Sequence, residues 1–148
     1  MSSLAVRSAA PADAEQVAAI SRRPFAAAWT QQAYTCEAGR ADSIFLIADD
    51  GRVLGYALAR LVGMEVQLLD LAVAEDGHGI GRALWSALCS AAWARGAARL
   101  TLEVSERNAR ALSFYERAGA RLVGRRPGFY HDGSAAVLLN VILTKTVD

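Results

Sequence analysis

The chain has 148 residues, 53% of them apolar and 21% charged, with a formal net charge of +1. That length and balance suit a single domain, 1–148, with a buried core, and exclude intrinsic disorder. So small a charge gives no field to gather nucleic acid or an anionic membrane, and no apolar run approaches the ~20 residues of a bilayer span.

Taken in order, Leu4–Arg7 reads as a short strand, and Pro11 opens a helix with Asp13 and Glu15 in its first turn and an apolar face running to Ser21. Pro24 breaks that pattern. Thr30 is placed to cap a short helix over Gln31–Glu37, closed by Gly39. Ser43–Ala48 and Val53–Leu61 form a hairpin about Asp49-Asp50-Gly51-Arg52, and Glu65–Val73 is a further strand. A short polar turn, Ala74-Glu75-Asp76, and the loop Gly77-His78-Gly79-Ile80-Gly81-Arg82 follow, then an alanine- and leucine-rich helix to Arg95. Arg99–Val104 returns as a strand, Asn108–Ala118 is a second helix, and Arg121–Gly124 and Ala136–Leu143 are the last strands. Hairpins followed by strand–helix–strand–helix predict an α/β fold: a central mixed sheet of six to seven strands, mostly antiparallel, with helices on both faces.

The start of the chain lacks the long apolar stretch of a secretion signal. Cys36 and Cys89 are lone thiols without CxxC spacing, as a reducing cytoplasm allows. Neither stands at metal-ligand spacing from His78 or His131, so no metal site is expected. Trp85, Cys89 and Trp93 share a helical stripe that reads as packing against the sheet or a partner.

The organising feature is the glycine loop. Between a strand end and a helix start it exposes backbone N–H groups at the positive end of a helix dipole, which suits an anion, most often a phosphate. It is not GxxxxGK[ST], because Arg82 and Ala83 stand where that motif needs its Lys-Ser/Thr pair. Its spacing and its place behind hairpins also exclude a dinucleotide-binding GxGxxG. A plain turn that uses glycine for its dihedrals remains the alternative.

Leu71-Ala72-Val73, Gly79-Ile80-Gly81-Arg82-Ala83-Leu84, Leu102-Glu103-Val104 and Asn108 through Gly119, with Phe114-Tyr115 inside, resemble the acetyl-CoA-binding half of a GNAT N-acetyltransferase. The stretch from Leu102 to Tyr130 is most similar to the RimI type, which acetylates the N-terminal amine of a ribosomal protein. The resemblance implies a GNAT fold with acetyl-CoA as co-substrate. It implies that the pantetheine arm pairs with the strand ending at Leu71-Ala72-Val73 as an added strand would. The diphosphate would lie on amides around Gly79, Gly81, Arg82 and Ala83, with Ile80 between them, and Asn108 would touch the cofactor arm. The chain departs from the family where Asp76 replaces a usual Gln or Arg in a turn about two residues shorter. A carboxylate there repels a diphosphate unless it turns outward, and Gly77 and His78 become further candidate contacts, His78 otherwise being a solvated loop residue.

Acetyl transfer from a thioester needs a neutral amine, a polarised carbonyl and a proton for the departing thiolate. Glu103 lies between apolar neighbours that face the other way, so it is either the base or a solvent-facing strand residue; the resemblance favours the base. Tyr115, seven residues after Asn108, shares its helix face. It is either a core tyrosine or the acid that protonates sulfur, the role that the resemblance assigns. Carbonyl polarisation falls to a backbone N–H near Leu71–Val73. Tyr130, in the aromatic and basic loop Arg125–His131, is a candidate wall of the acceptor groove, and Trp29 is another or else a core plug. Neutralising a peptide α-amine at pH 7 costs about 1 kcal/mol against about 5 for lysine, so one carboxylate working through water suits an N-terminus. Ser134-Ala135-Ala136 is neutral where such enzymes often carry acids. The expected partner is a protein N-terminal peptide, with a small amine, or a silent acyl-CoA-binding module, as the alternatives; the chain is expected as monomer or homodimer.

Overall fold

The computed structural model describes residues 3–22 and 29–145, and the break expected at Pro24 lies outside them. Strand β1 (Ala5–Ser8) leads through one 3-10 turn, Pro11–Asp13, into helix α1 (Ala14–Ser21). The Asp13 carboxylate accepts the Ala10 N–H at 2.8 Å and so fixes the turn. Helix α2 (Gln31–Glu37) starts where Thr30 Oγ1 accepts the Ala33 N–H at 3.1 Å, the cap expected from the sequence. Strands β2 (Ser43–Asp49), β3 (Val53–Val62) and β4 (Glu65–Val73) form a meander. Helix α3 (Ile80–Ala94), strand β5 (Arg99–Ser105), helix α4 (Ala109–Arg117) and strands β6 (Arg121–Arg126) and β7 (Ala136–Ile142) complete the chain.

The described residues build one seven-stranded sheet in the order β1-β2-β3-β4-β5-β7-β6. Only β4 and β5 run parallel; the other neighbours are antiparallel. Residues alternating along the strands divide the core. Ile44, Leu46, Leu100, Leu102 and Val104 face α3 and α4, whereas Phe45, Ile47, Tyr56 and Leu58 face α1 and α2. Two irregularities of β4 interrupt this pattern near the middle of the sheet. A bulge opposite Leu58 and Ala59 leaves Leu69 as an extra residue, so Val66 and Leu68 face α3 while Ala72 faces α1. In addition, β4 pairs with β5 only from Glu65 to Gln67, and beyond that point the two strands diverge.

Helix α3 begins at Ile80, earlier than the sequence suggests. Gly79, at a left-handed φ of 73°, ends the loop, and Ile80 turns into the core at 7% exposure.

Candidate active site

Where β4 and β5 part, a cleft of about 890 Å³ opens between them. Its walls are the diverging halves of the two strands, the start of α4, residues 130–132, and Asp76 and Gly81 from either end of the glycine loop. The gap passes through the sheet, so groups from both faces meet in it. Leu102 and Val104 turn toward α3 and α4, and Glu103, alternating with them, turns to the face of α1 and α2. Tyr115 comes from α4 on the other face, its ring 5.4 Å from Trp85 and 5.2 Å from Phe114. Asn108 caps α4, accepting the Ala111 N–H at 3.2 Å.

Of the residues singled out by sequence, Leu71, Ala72, Val73, Gly81, Glu103, Asn108, Tyr115 and Tyr130 line this one cleft. Gly77, His78, Gly79, Ile80, Arg82 and Ala83 stand outside its lining. The Ala83 amide, expected to receive phosphate, instead closes the first helical turn onto Gly79 O at 3.1 Å. The amides of Ile80, Gly81 and Arg82 precede any intrahelical acceptor, and Gly79 supplies no side-chain cap. The helix start thus keeps donors for an anion, displaced toward the loop by about one residue. Trp29 likewise stands outside the lining and stacks on Tyr34 at 5.5 Å, against the core under α1 and α2. The stripe on α3 is covered at one end only, for Trp85 is buried and Trp93 is 43% exposed. Burial pushes the Cys89 thiol up to about 11, which leaves it protonated and inert.

The electrostatics around Glu103 come from the end of β6 and the loop that follows it. Arg126 Nη1 lies 3.6 Å from Glu103 Oε1, with its guanidinium 5.8 Å from the Phe129 ring. Burial, and then the charges of Glu103 and Asp132, raise the Tyr130 hydroxyl above its ordinary range. The loop is tied down: Glu106 accepts the Ala135 N–H and meets Arg125 at 2.7 Å, and Ser134 Oγ lies 3.1 Å from Ser105 Oγ.

Sequence reasoning passed over Asp70, a cleft residue only 9% exposed. The bulge turns it to the face of α1 and α2, where Tyr34 donates to Oδ2 at 3.2 Å and Tyr56 donates to the same oxygen. Burial first, and the Asp70 charge with it, raises both phenols. Its one sequence signal is an acid set in an apolar strand, between Leu69 and Leu71.

The sequence profile of the acetyltransferase (GNAT) family matches residues 14–120. The ribosomal protein bS18-alanine N-acetyltransferase of Escherichia coli is 31% identical over 113 residues, which are 75% of this chain and 76% of that protein. The crystal structure of the Escherichia coli ribosomal-protein-S18-alanine N-acetyltransferase superposes with a TM-score of 0.84 at 25% identity, covering 99% of this chain and 97% of the other. Arabidopsis thaliana NAA60, crystallised with acetyl-CoA, shares the fold with a TM-score of 0.84 at 20% identity over 95% of this chain and 99% of its own.

Proposed function

Since the chain belongs to the acetyltransferase (GNAT) family, we propose that it moves the acetyl group of acetyl-CoA to the N-terminal α-amine of a protein. Membership makes it an acetyl-CoA-dependent N-acetyltransferase; the acceptor and the residue roles are inferred. The single observation that carries the reading is the through-sheet cleft, with Tyr115 on one face and Glu103 on the other.

Acetyl-CoA supplies an activated thioester, and Leu71–Val73, which line the cleft, with the amides at the start of α3 are where this chain would hold it. The acceptor enters from the opposite face, past Tyr130. Its ammonium competes with Arg126 for Glu103, which takes the amine proton through a water. The neutral amine attacks the carbonyl, the C–S bond breaks, the Tyr115 hydroxyl gives its proton to the departing thiolate, and the second proton shed by the nitrogen as the amide forms restores Tyr115. An α-amine asks about 1 kcal/mol of Glu103 at pH 7, a task within the reach of a single carboxylate. The whole chain, 1–148, acts as one domain, and its two free cysteines fit a reducing cytoplasm. The alanine specificity in the name of the Escherichia coli relative makes an alanine-initiated peptide the first acceptor to try.

The test is mass spectrometry after incubation with acetyl-CoA and three acceptors: an alanine-initiated peptide with an internal lysine, its N-terminally blocked form, and spermidine. One acetyl group on the α-amine of the first, with matching thiol release, is the expected result. Acetylation of spermidine or lysine alone would overturn the assignment to protein N-termini.

A further inference from the structure

The loop next to the start of α3 is acidic for a diphosphate site. Between Val73 and Ala83 it carries Glu75 and Asp76 against the single guanidinium of Arg82, and like charges at contact distance repel strongly where solvent is partly excluded. Both carboxylates nevertheless have partners. Glu75 Oε2 lies 3.4 Å from His78 Nε2 inside the loop. Asp76 Oδ2 lies 2.8 Å from Nη1 of Arg110, which projects from the first turn of α4. Asp76 and Arg110 line the same cleft as Gly81 and Asn108, so this ion pair joins the loop wall to the α4 wall at the cofactor side.

The pair is easily exchanged. Its side chains are 54% and 74% exposed, and solvated pairs of this kind contribute little to stability. A diphosphate presents a guanidinium with the same two-oxygen edge as a carboxylate and carries two charges over its two phosphoryl groups, and arginine's planar fork is suited to both. A dianionic group arriving at the amides of Ile80 to Arg82 therefore outbids one exposed carboxylate for Arg110.

We infer that Arg110 is a phosphate-binding residue, held over the cleft by Asp76 until the diphosphate of an acyl-CoA takes the carboxylate's place. The inference rests on the reading that the cleft binds acyl-CoA. Asp76 is then a keeper and a competitor at once: it stations the cation where it is needed and must release it on binding. A rival account of the same pair gives Arg110 no contact with phosphate. In that account it only cancels the charge of Asp76.

Calorimetric titration with coenzyme A at one ionic strength separates the two accounts, using the wild type, Arg110→Ala, Asp76→Asn and the double variant. Both side chains are exposed, so unchanged thermal unfolding checks that each variant is folded. Arg110→Ala should weaken binding by about 10–100-fold, the scale of a lost charge-assisted hydrogen bond. Asp76→Asn should tighten it by up to about fivefold, the scale of an exposed ion pair that no longer has to break. The double variant decides: it should bind at least about tenfold more weakly than Asp76→Asn alone. If the double variant and Asp76→Asn bind equally, Arg110 is only a counter-ion and the inference falls. Dephospho-coenzyme A, which keeps the diphosphate and lacks the 3′-phosphate, should show the same loss with Arg110→Ala; a loss seen only with coenzyme A would overturn the diphosphate assignment. Failure of the wild type to bind coenzyme A would remove the acyl-CoA reading and this inference together. Normal wild-type binding with an unaffected Arg110→Ala would remove only the inference.

Discussion

Glu103 and Tyr115 reach one cleft from opposite faces of the sheet, and their proposed tasks differ in how they depend on pH. With Glu103→Gln the amine proton must go to solvent, so turnover should fall and its optimum should rise toward the ~7.7–8.0 of a free α-amine, with coenzyme A binding unchanged. Tyr115→Phe should slow the chemical step by about 10²–10⁴-fold if its hydroxyl protonates sulfur. Single-turnover rates against pH check both, and an unaltered profile in Glu103→Gln would take that residue out of the mechanism. Both side chains are legible in the sequence because each obeys a local period: Glu103 alternates with two apolar residues of the other face, and Tyr115 lies two helical turns from Asn108. Asp70 is not, because what gives it meaning is the pair of hydroxyls from Tyr56 and Tyr34, 14 and 36 residues away in the chain.

At the scale of elements, the bounds of β4 and α2 can be read from turn and cap residues, whereas the bulge at Leu69 cannot. A bulge is set by how two strands fit, and the apolar run Leu68–Val73 reads the same with or without one. Gly55 is a second feature that sequence reading leaves blank. A Cβ there would lie 2.7 Å from the Ala72 carbonyl oxygen and 3.1–3.2 Å from Leu84 and Ile80, so the bare backbone is what lets α3 lie flat on β3 and β4. Because the nearest clash is with backbone, Gly55→Ala should cost ~1–3 kcal/mol and lower the melting temperature by ~2–10 °C. Gly81, already helical, has room: an added Cβ meets Phe114 at 3.4 Å, an ordinary contact. Gly81→Ala should therefore leave stability equal or raise it by up to ~1 kcal/mol. Differential scanning calorimetry of the pair is the check, and equal tolerance at both positions would show that α3 is not seated through Gly55.

For the whole molecule, the ionic ties and the buried phenols place limits on stability at opposite ends of the pH scale. At the start of the chain, Arg7 joins β1 to Asp13 at 2.8 Å and to Asp49 at 2.8 Å. Its hydrogen bonds hold the Asp13 carboxyl below the ordinary range, and the Gly51 N–H and then Arg7 do the same for Asp49. Near the end of the chain, the Ala135 N–H and Arg125 lower Glu106, and the Ser134 hydroxyl and amide lower Asp132. Groups lowered by folding give stability that is present above their unfolded values, ~3.9 for Asp and ~4.3 for Glu, and that is lost as pH falls through the folded ones. Tyr34 and Tyr56 are raised by burial, so they act in the other direction. Their contribution is complete below the unfolded value of ~10 and is lost as pH climbs toward the folded values. The urea midpoint should accordingly be level through neutral pH, fall below about pH 4 and fall again above about pH 10. Arg7→Ala should flatten the acid limb, because Asp13 and Asp49 then titrate nearer their unfolded values, and leave the alkaline limb alone. Tyr56→Phe should do the reverse, removing a phenol that must stay protonated for the fold to close over Asp70. If either variant lowered the midpoint by the same amount at every pH, its effect would be packing, and the assignment of that limb to ionisation would be wrong.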